Sequence, residues 1–344
     1  MNLTSLLLVW GLAAAVSLAV TGFVAAAGLG DAPGPRSSHS RTTPTAGGLG
    51  ALAGLACGLA VAAPEAGEGL APLLALVFAL GVTGLQDDAY GLRTSTKFAV
   101  VLAVALLAVQ TLGPVRELPL HGDASLALPP WLGWTGSVLW IFVVVNAVNF
   151  SDGLNGYVPG ILNAVFVVLA GLCAAIGSPD AMWLALAASG GLVGFLPYNF
   201  RDRARVFLGD TGSLPLGFLL AVLPLLAVGR GGALSLLYAV PLLLLPVLAD
   251  VLLTLVRKLR RGDPFLAPHR DHLYQRLSRR WGSHVLVSGV GISLVLPLTL
   301  LAVLALGTGW HRSLPALLGV AAVLSGLHWW LSRRLDAYEV RATT

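Results

Sequence analysis

The sequence predicts an all-α, polytopic membrane protein of about eleven transmembrane helices, with the N-terminus outside and the C-terminus in the cytoplasm. Three observations predict it. Hydrophobic residues make up 56% of the chain and charged residues only 11%, with a mean hydropathy of +0.84, whereas soluble domains carry about 25% charged residues. Apolar runs of the length that crosses a bilayer, roughly 17–25 residues, recur from one end of the chain to the other. The cations between these runs collect on alternate connections.

Taken in order, the runs lie near 3–24, 45–63, 70–86, 97–113, 133–150, 157–177, 181–198, 213–229, 234–256, 285–308 and 313–331. The first lacks a basic leader and stays apolar to about Leu29, longer than a signal-peptide core, so it is expected to remain as a span. With Lys97 counted among them, the connections near 31–43, 87–96, 151–156, 199–210 and 257–284 and the tail after Leu331 hold 18 of the 21 Lys and Arg; the other set holds only Arg116, Arg230 and Arg312. Cytoplasmic loops carry the cation excess, so the first set is assigned to the cytoplasm. No internal repeat is visible. The longest connection is too short for a soluble domain, so residues 1–344 form a single transmembrane domain. Cys57 and Cys173 both sit inside apolar runs and serve as small core hydrophobes, with no disulfide or zinc spacing.

Every dense polar cluster falls in a cytoplasmic connection. A transporter usually binds near the bilayer midplane on broken helices, so acids gathered at span ends suit an enzyme that takes a soluble substrate from one side and a lipid from the other. The strongest cluster is Trp140–Tyr157, WIFVVVNAVNFSDGLNGY. Its apolar run breaks directly into Asn146, Asn149, Ser151 and Asp152, groups that are costly at a membrane unless they face protein, water or ligand. The i, i+3, i+7 spacing of Asn146, Asn149 and Gly153 suggests one helix face with Asp152 nearby.

Asp87 and Asp88 close the third run, with Lys97 opening the next. Adjacent carboxylates repel unless a cation or proton lies between them, and Mg²⁺, which takes one or two carboxylates plus substrate phosphates, fits; an exposed acidic turn is the plain alternative. Asp210 stands between glycines at the start of the eighth run and needs a partner there. Arg201, Arg203 and Arg205 precede it, at least one of them as topology signal alone. The 31–50 segment joins Arg36, His39 and Arg41 to a Gly-rich helix start that suits phosphate, or else to a helix-packing face. The 257–280 connection carries eight cations, an anion trap. Within it His269 and His272 share a face if Pro268 begins a helix; phosphate contact fits this cationic setting better than zinc. Asp250 is expected to be a structural or supporting acid. The string Asp210-Thr-Gly also occurs in pepsin-like proteases, but a second such loop is missing.

Together these clusters resemble the polyprenyl-phosphate N-acetylhexosamine-1-phosphate transferases, the glycosyltransferase-4 group. The resemblance covers nearly the whole chain through five landmarks in order: PRSSHSRTTPTAGG (35–48), LQDDAYGL (85–92), NAVNFSDGLNGY (146–157), FLGDTGSLPLGF (207–218) and PHRDHLYQRL (268–277). It implies Mg²⁺-dependent transfer (Mn²⁺ a possible substitute) of a sugar 1-phosphate from a UDP-N-acetylhexosamine to polyprenyl phosphate, at the cytoplasmic face of a bacterial inner membrane, starting a cell-envelope glycan. The implied partners are those two substrates, the membrane and a second copy of the chain, with no nucleic acid. By this resemblance Asp210 ligates the metal. Asp87 and Asp88 position or deprotonate the lipid phosphate and touch the metal–diphosphate. Asn149 and Asp152 serve the nucleotide side or support the metal, and His269, Arg270 and His272 hold phosphate. Arg36, His39, Lys97, Asn146 and Arg205 complete the expected substrate-binding set.

Three positions depart from the family pattern: Ala46 replaces an arginine, Asn155 replaces the second acid of DG-x-DG, and no third acid follows Asp87 and Asp88. The PHRDHLYQRL loop is closer to the O-antigen and secondary-polysaccharide branch than to the peptidoglycan enzyme. A transporter or flippase of anionic sugar-lipids is the alternative from another class.

Overall fold

The computed structural model describes residues 2–28, 30–31, 43–62, 70–120, 124–229, 234–262, 271–308 and 314–343. These residues build a helical bundle: α1 Leu3–Ala27, α2 Gly48–Ala62, α3 Ala71–Tyr90, α4 Thr94–Leu112, α5 Pro130–Ser151, α6 Tyr157–Ala175, α7 Pro179–Asn199 and α8 Gly209–Gly229, then a 3₁₀ turn Leu234–Tyr238, α9 Ala239–Leu243, α10 Leu245–Arg261, α11 Leu273–Trp281, α12 His284–Ser293, α13 Val295–Thr308 and α14 Leu314–Thr343. Two short antiparallel ribbons accompany them, β1 Gly30–Asp31 with β2 Thr43–Pro44, and β3 Glu117–Pro119 with β4 Ser125–Ala127.

Among the described residues eight helices are long and apolar enough to cross a membrane, or nine if one bent pair counts as a span. The protein is therefore a multi-pass membrane protein. Among the described residues each of the eleven predicted runs is mostly helical. Three differ in form: α2 has only 15 residues, the tenth run is divided between α12 and α13, and the ninth is broken, Leu236–Leu243 meeting Leu245–Arg261 at 64°. Pro246 begins the second piece, and a proline ring removes the amide that a continuous helix needs. α10 continues to Arg261 and ends at Gly262, whose φ of +73° suits glycine. The expected 257–284 loop thus holds the end of α10 and the whole of α11.

α1, α2, α6 and α7 pack as one group, and α8 packs against α3 and α5. α8 is the axis, with 89% of its apolar window buried. Close approach in the first group rests on small residues: a Cβ on Gly54 would come within 2.9 Å of Gly191 Cα and Ser17 Cβ. Dispersion between closely seated backbones stabilises helix pairs where lipid removes the hydrophobic drive. At Gly84 a Cβ would strike the backbone of Asp210 and Thr211. That glycine lets α3 touch the amino end of α8, and the site lies at this contact.

Candidate active site

Four helix ends meet there: the carboxyl ends of α3 and α5 and the amino ends of α4 and α8. Lys97 Nζ donates to Asp87 Oδ2 and to Asp210 Oδ2, each at 3.0 Å. Asn149 Nδ2 donates to Asp210 Oδ1 at 2.8 Å and to Ser213 Oγ at 2.9 Å, fixing the carboxylate. The other Asp87 oxygen accepts from Leu92 N at 2.7 Å and closes the turn between α3 and α4. Sequence reasoning overlooked Ser213, although its hydroxyl lies one turn after Asp210 on the same helix.

Asp88 faces elsewhere. Oδ1 accepts from Asp210 N at 2.9 Å, and Oδ2 accepts from Thr211 N at 2.9 Å and Thr211 Oγ1 at 2.6 Å. It caps α8 from a neighbouring helix, satisfying amides that have no partner inside their own. Successive helical residues point about 100° apart, which explains how two adjacent acids serve two targets. Gly209, at φ +68°, makes the tight entry possible; a Cβ there would strike the Thr45 carbonyl and the Asp88 carboxylate.

Asp152 follows α5 directly. Burial, then the Asp210 and Asp88 carboxylates, push its carboxyl well above the usual range, against an opposing bond from the Gly209 N–H. Lys97 is bonded to both Asp87 and Asp210, and Asp152 lies close enough to feel the Asp210 and Asp88 charges. The described residues contain no cluster of three or more His, Cys, Asp or Glu forming a metal cage. Mg²⁺ does not require one, because it retains waters and shares its sphere with substrate phosphates. Two carboxylates already sharing one cation, with a third alongside, are a donor set that fits it.

The other expected residues divide. Asn146 does not join Asn149: it is buried and donates to Phe142 O of its own helix at 2.8 Å. Gly153 is off the shared face, because α5 ends at Ser151. His272 is buried with its Nδ1 3.3 Å from Asp250 Oδ2. At φ −59° and ψ 142° it precedes α11 rather than lying in a helix, and Pro268 lies outside the described residues. Asp250 pairs there with two histidines. Arg205 is exposed, its backbone N–H donating to Tyr198 O at 2.8 Å. Arg36, His39, His269 and Arg270 lie outside the described residues.

The Gly-rich entry to α2 suited either phosphate or helix packing, and the structure shows the packing. Its amides are occupied: Gly47 N donates to Phe207 O at 3.0 Å and Gly48 N to Leu208 O at 2.9 Å, while Phe207 N donates to Pro44 O at 2.8 Å. The first and fourth landmarks thus pair with each other, with Ala46 buried between them.

Asn155 and Asn199 lace the loops. Asn155 Nδ2 donates to Arg201 O at 2.8 Å and Asp202 O at 3.1 Å. Asn199 Oδ1 accepts from Gly156 N at 2.6 Å while its Nδ2 donates to Val206 O at 2.9 Å. The departure at Asn155 has a physical reason, since an amide can donate to those two carbonyls and a carboxylate cannot. Asn155→Asp is expected to lower stability by about 0.5–1.5 kcal/mol, the net worth of a lost hydrogen bond between part-buried groups. Thermal unfolding of the purified protein checks this. Asn199 carried the same sequence signal as Asn149, an amide ending an apolar run, and could have been found by it. Farther out, the Val285 amide and the Ser283 hydroxyl hold Asp202 below the usual carboxylate range. Its tether is present above about pH 4 and lost as pH falls through the lowered value.

Residues 70–228 match the family model described as glycosyl transferase family 4. The chain is 29% identical, over 74% of its length and 71% of the relative's, to a probable undecaprenyl-phosphate N-acetylglucosaminyl 1-phosphate transferase of Bacillus subtilis. It is 31% identical, over 73% and 69%, to the decaprenyl-phosphate N-acetylglucosaminephosphotransferase of Mycolicibacterium smegmatis. A phospho-N-acetylmuramoyl-pentapeptide-transferase of a Synechococcus species is 40% identical over a shorter stretch, 56% of this chain and 58% of that one.

Proposed function

This chain belongs to glycosyl transferase family 4, and from that premise we propose that it transfers an N-acetylhexosamine 1-phosphate from a UDP-sugar to polyprenyl phosphate, with Mg²⁺ and at the cytoplasmic face. A phosphate oxygen of the lipid bonds to the sugar-bearing phosphorus of the nucleotide. The bridging P–O bond breaks, its electrons go to the departing phosphate, and UMP leaves. One observation carries the reading: Asp87 and Asp210, from different helices, already share a cation through Lys97 at 3.0 Å each, with Asp152 beside them.

Phosphoryl transfer asks for positioning and charge neutralisation more than covalent help. Asp210 and Asp87 would hold Mg²⁺, which when bound would offset the diphosphate charge and orient it. Asn149 keeps Asp210 turned towards the cation. Asp88 holds the α8 entry that places Asp210. Lys97 is set to follow charge as it develops on the leaving side. Asp152 supports the nucleotide side, and the eight cations of the 257–280 sequence supply charge that attracts an anionic nucleotide.

The sugar is an N-acetylhexosamine. N-acetylglucosamine is the first to test, because the two relatives named for it align along 73–74% of the chain. The cation distribution supports an outside N-terminus, a cytoplasmic C-terminus and eleven spans, with α2 and α14 completing the bundle. The bacterial inner membrane, a role in starting envelope glycans and a homodimer belong to the same reading.

The test uses detergent-purified protein, undecaprenyl phosphate, Mg²⁺ and a panel of UDP-N-acetylhexosamines. UMP release that needs both lipid phosphate and Mg²⁺, and stops with EDTA, is the expected result. No release with any sugar, from protein shown to be folded, would overturn the reading.

A further inference from the structure

A second buried polar cluster lies behind the site, on α10, α11 and α14. Asp250 is 3% exposed, inside an otherwise apolar stretch of α10. Its Oδ1 accepts from Leu273 N and from His328 Nε2, both at 2.8 Å, and its Oδ2 faces His272 Nδ1 at 3.3 Å. The Leu273 amide and the two imidazole rings thus surround the carboxylate on both of its oxygens. A buried charge in such a place is retained where it fixes a geometry, since an apolar replacement would cost less to bury.

The cluster continues towards the reaction. The His272 ring stacks on Tyr274 at 5.6 Å, and Tyr274 stacks on Tyr157 at 4.5 Å. Tyr274 Oη donates to Phe150 O at 3.2 Å. A Cβ on Gly153 would come within 2.7 Å of both Tyr274 Oη and Gln275 Nε2. The residues so clamped, Phe150 and Gly153, flank Asp152. At the other end Arg276 joins Asp336 of α14 at 2.7 Å, which seats α11 on the same helix as His328.

We propose that His328, Asp250, His272 and Tyr274 form a positioning chain that lets the C-terminal helix set the Phe150–Gly153 turn, and with it the affinity for the UDP-sugar. None of the four touches the reacting atoms. This rests on the transferase reading above. The cluster is a chain rather than local packing because every link joins a different element: α14 to α10, α10 to the start of α11, and α11 to the end of α5.

The experiment measures KM for UDP-N-acetylglucosamine and for undecaprenyl phosphate, with kcat, in the full-length protein. His328→Leu removes the N–H donor, and His328→Gln restores one. His328→Leu is expected to raise the UDP-sugar KM about tenfold, with the lipid KM and kcat within about twofold, and His328→Gln to return it near wild type. Tyr274→Phe, which removes only the Phe150 link, should move the same KM in the same direction and keeps the test available if His328→Leu fails to fold. An unchanged UDP-sugar KM in Tyr274→Phe and in folded His328→Leu, an equal rise in both KM values, or loss of kcat alone would overturn the proposal. Absence of turnover in the wild type would instead strike the transferase reading itself.

Discussion

Asp210→Asn is expected to slow UMP release about a thousandfold while the protein still folds. Removing one preorganised electrostatic partner of a developing charge costs about 10²–10³ in rate, and Asp210 joins three such functions. It shares Lys97 with Asp87, it accepts from Asn149, and it stands at the amino end of the most enclosed helix. The asparagine keeps the shape and the bond from Asn149 but halves the carboxylate pair available to a divalent cation. The rate should therefore fall most steeply at low Mg²⁺ and recover only in part at high Mg²⁺. Rates across a Mg²⁺ titration, beside a melting curve, check this. A rate within threefold of wild type at every Mg²⁺ concentration would remove Asp210 from the metal.

Asp88→Ala is expected to fail differently. Three donors, Asp210 N, Thr211 N and Thr211 Oγ1, lose their acceptor together. A lost helix cap costs about 0.5–2 kcal/mol, and bonds to a charged group more, so a loss of about 2–4 kcal/mol and a clear fall in melting temperature follow. Activity should drop about a hundredfold, because Asp210 is carried on the backbone that Asp88 restrains. The Mg²⁺ concentration for half-maximal rate should stay near that of wild type, in contrast to Asp210→Asn. A large shift in that midpoint with stability intact would make Asp88 a metal ligand instead of a cap.

The contrast between the two acids shows what one dimension of information contains. Polar groups ending apolar runs were visible at once, and that signal led to Asp87, Lys97, Asn149, Asp152 and Asp210, which the fold brings together. It could not separate Asp87 from Asp88, because the partner of Asp88 lies 122 residues away in sequence. The helical runs were legible because the bilayer imposes their length and apolarity. The 64° break before α10 and the helix α11 inside an expected loop were not. Pro246 marks the break in the sequence without giving its angle, and α11 is too short and polar to signal a span. Asn146 shared the signal of Asn149 but spends its amide on its own helix. His272 looked like an anion ligand until Asp250, from a different run, was found against it.

The most direct test of the central claim follows the phosphorus atoms. Wild-type protein is incubated with undecaprenyl phosphate, Mg²⁺ and UDP-N-acetylglucosamine carrying ³²P at the β position in one sample and at the α position in another, and the lipid is extracted. Transfer of a sugar 1-phosphate predicts β label in the lipid phase and α label left in water as UMP. Lipid that gains the sugar without the β label, or β label that never leaves the nucleotide, would contradict it.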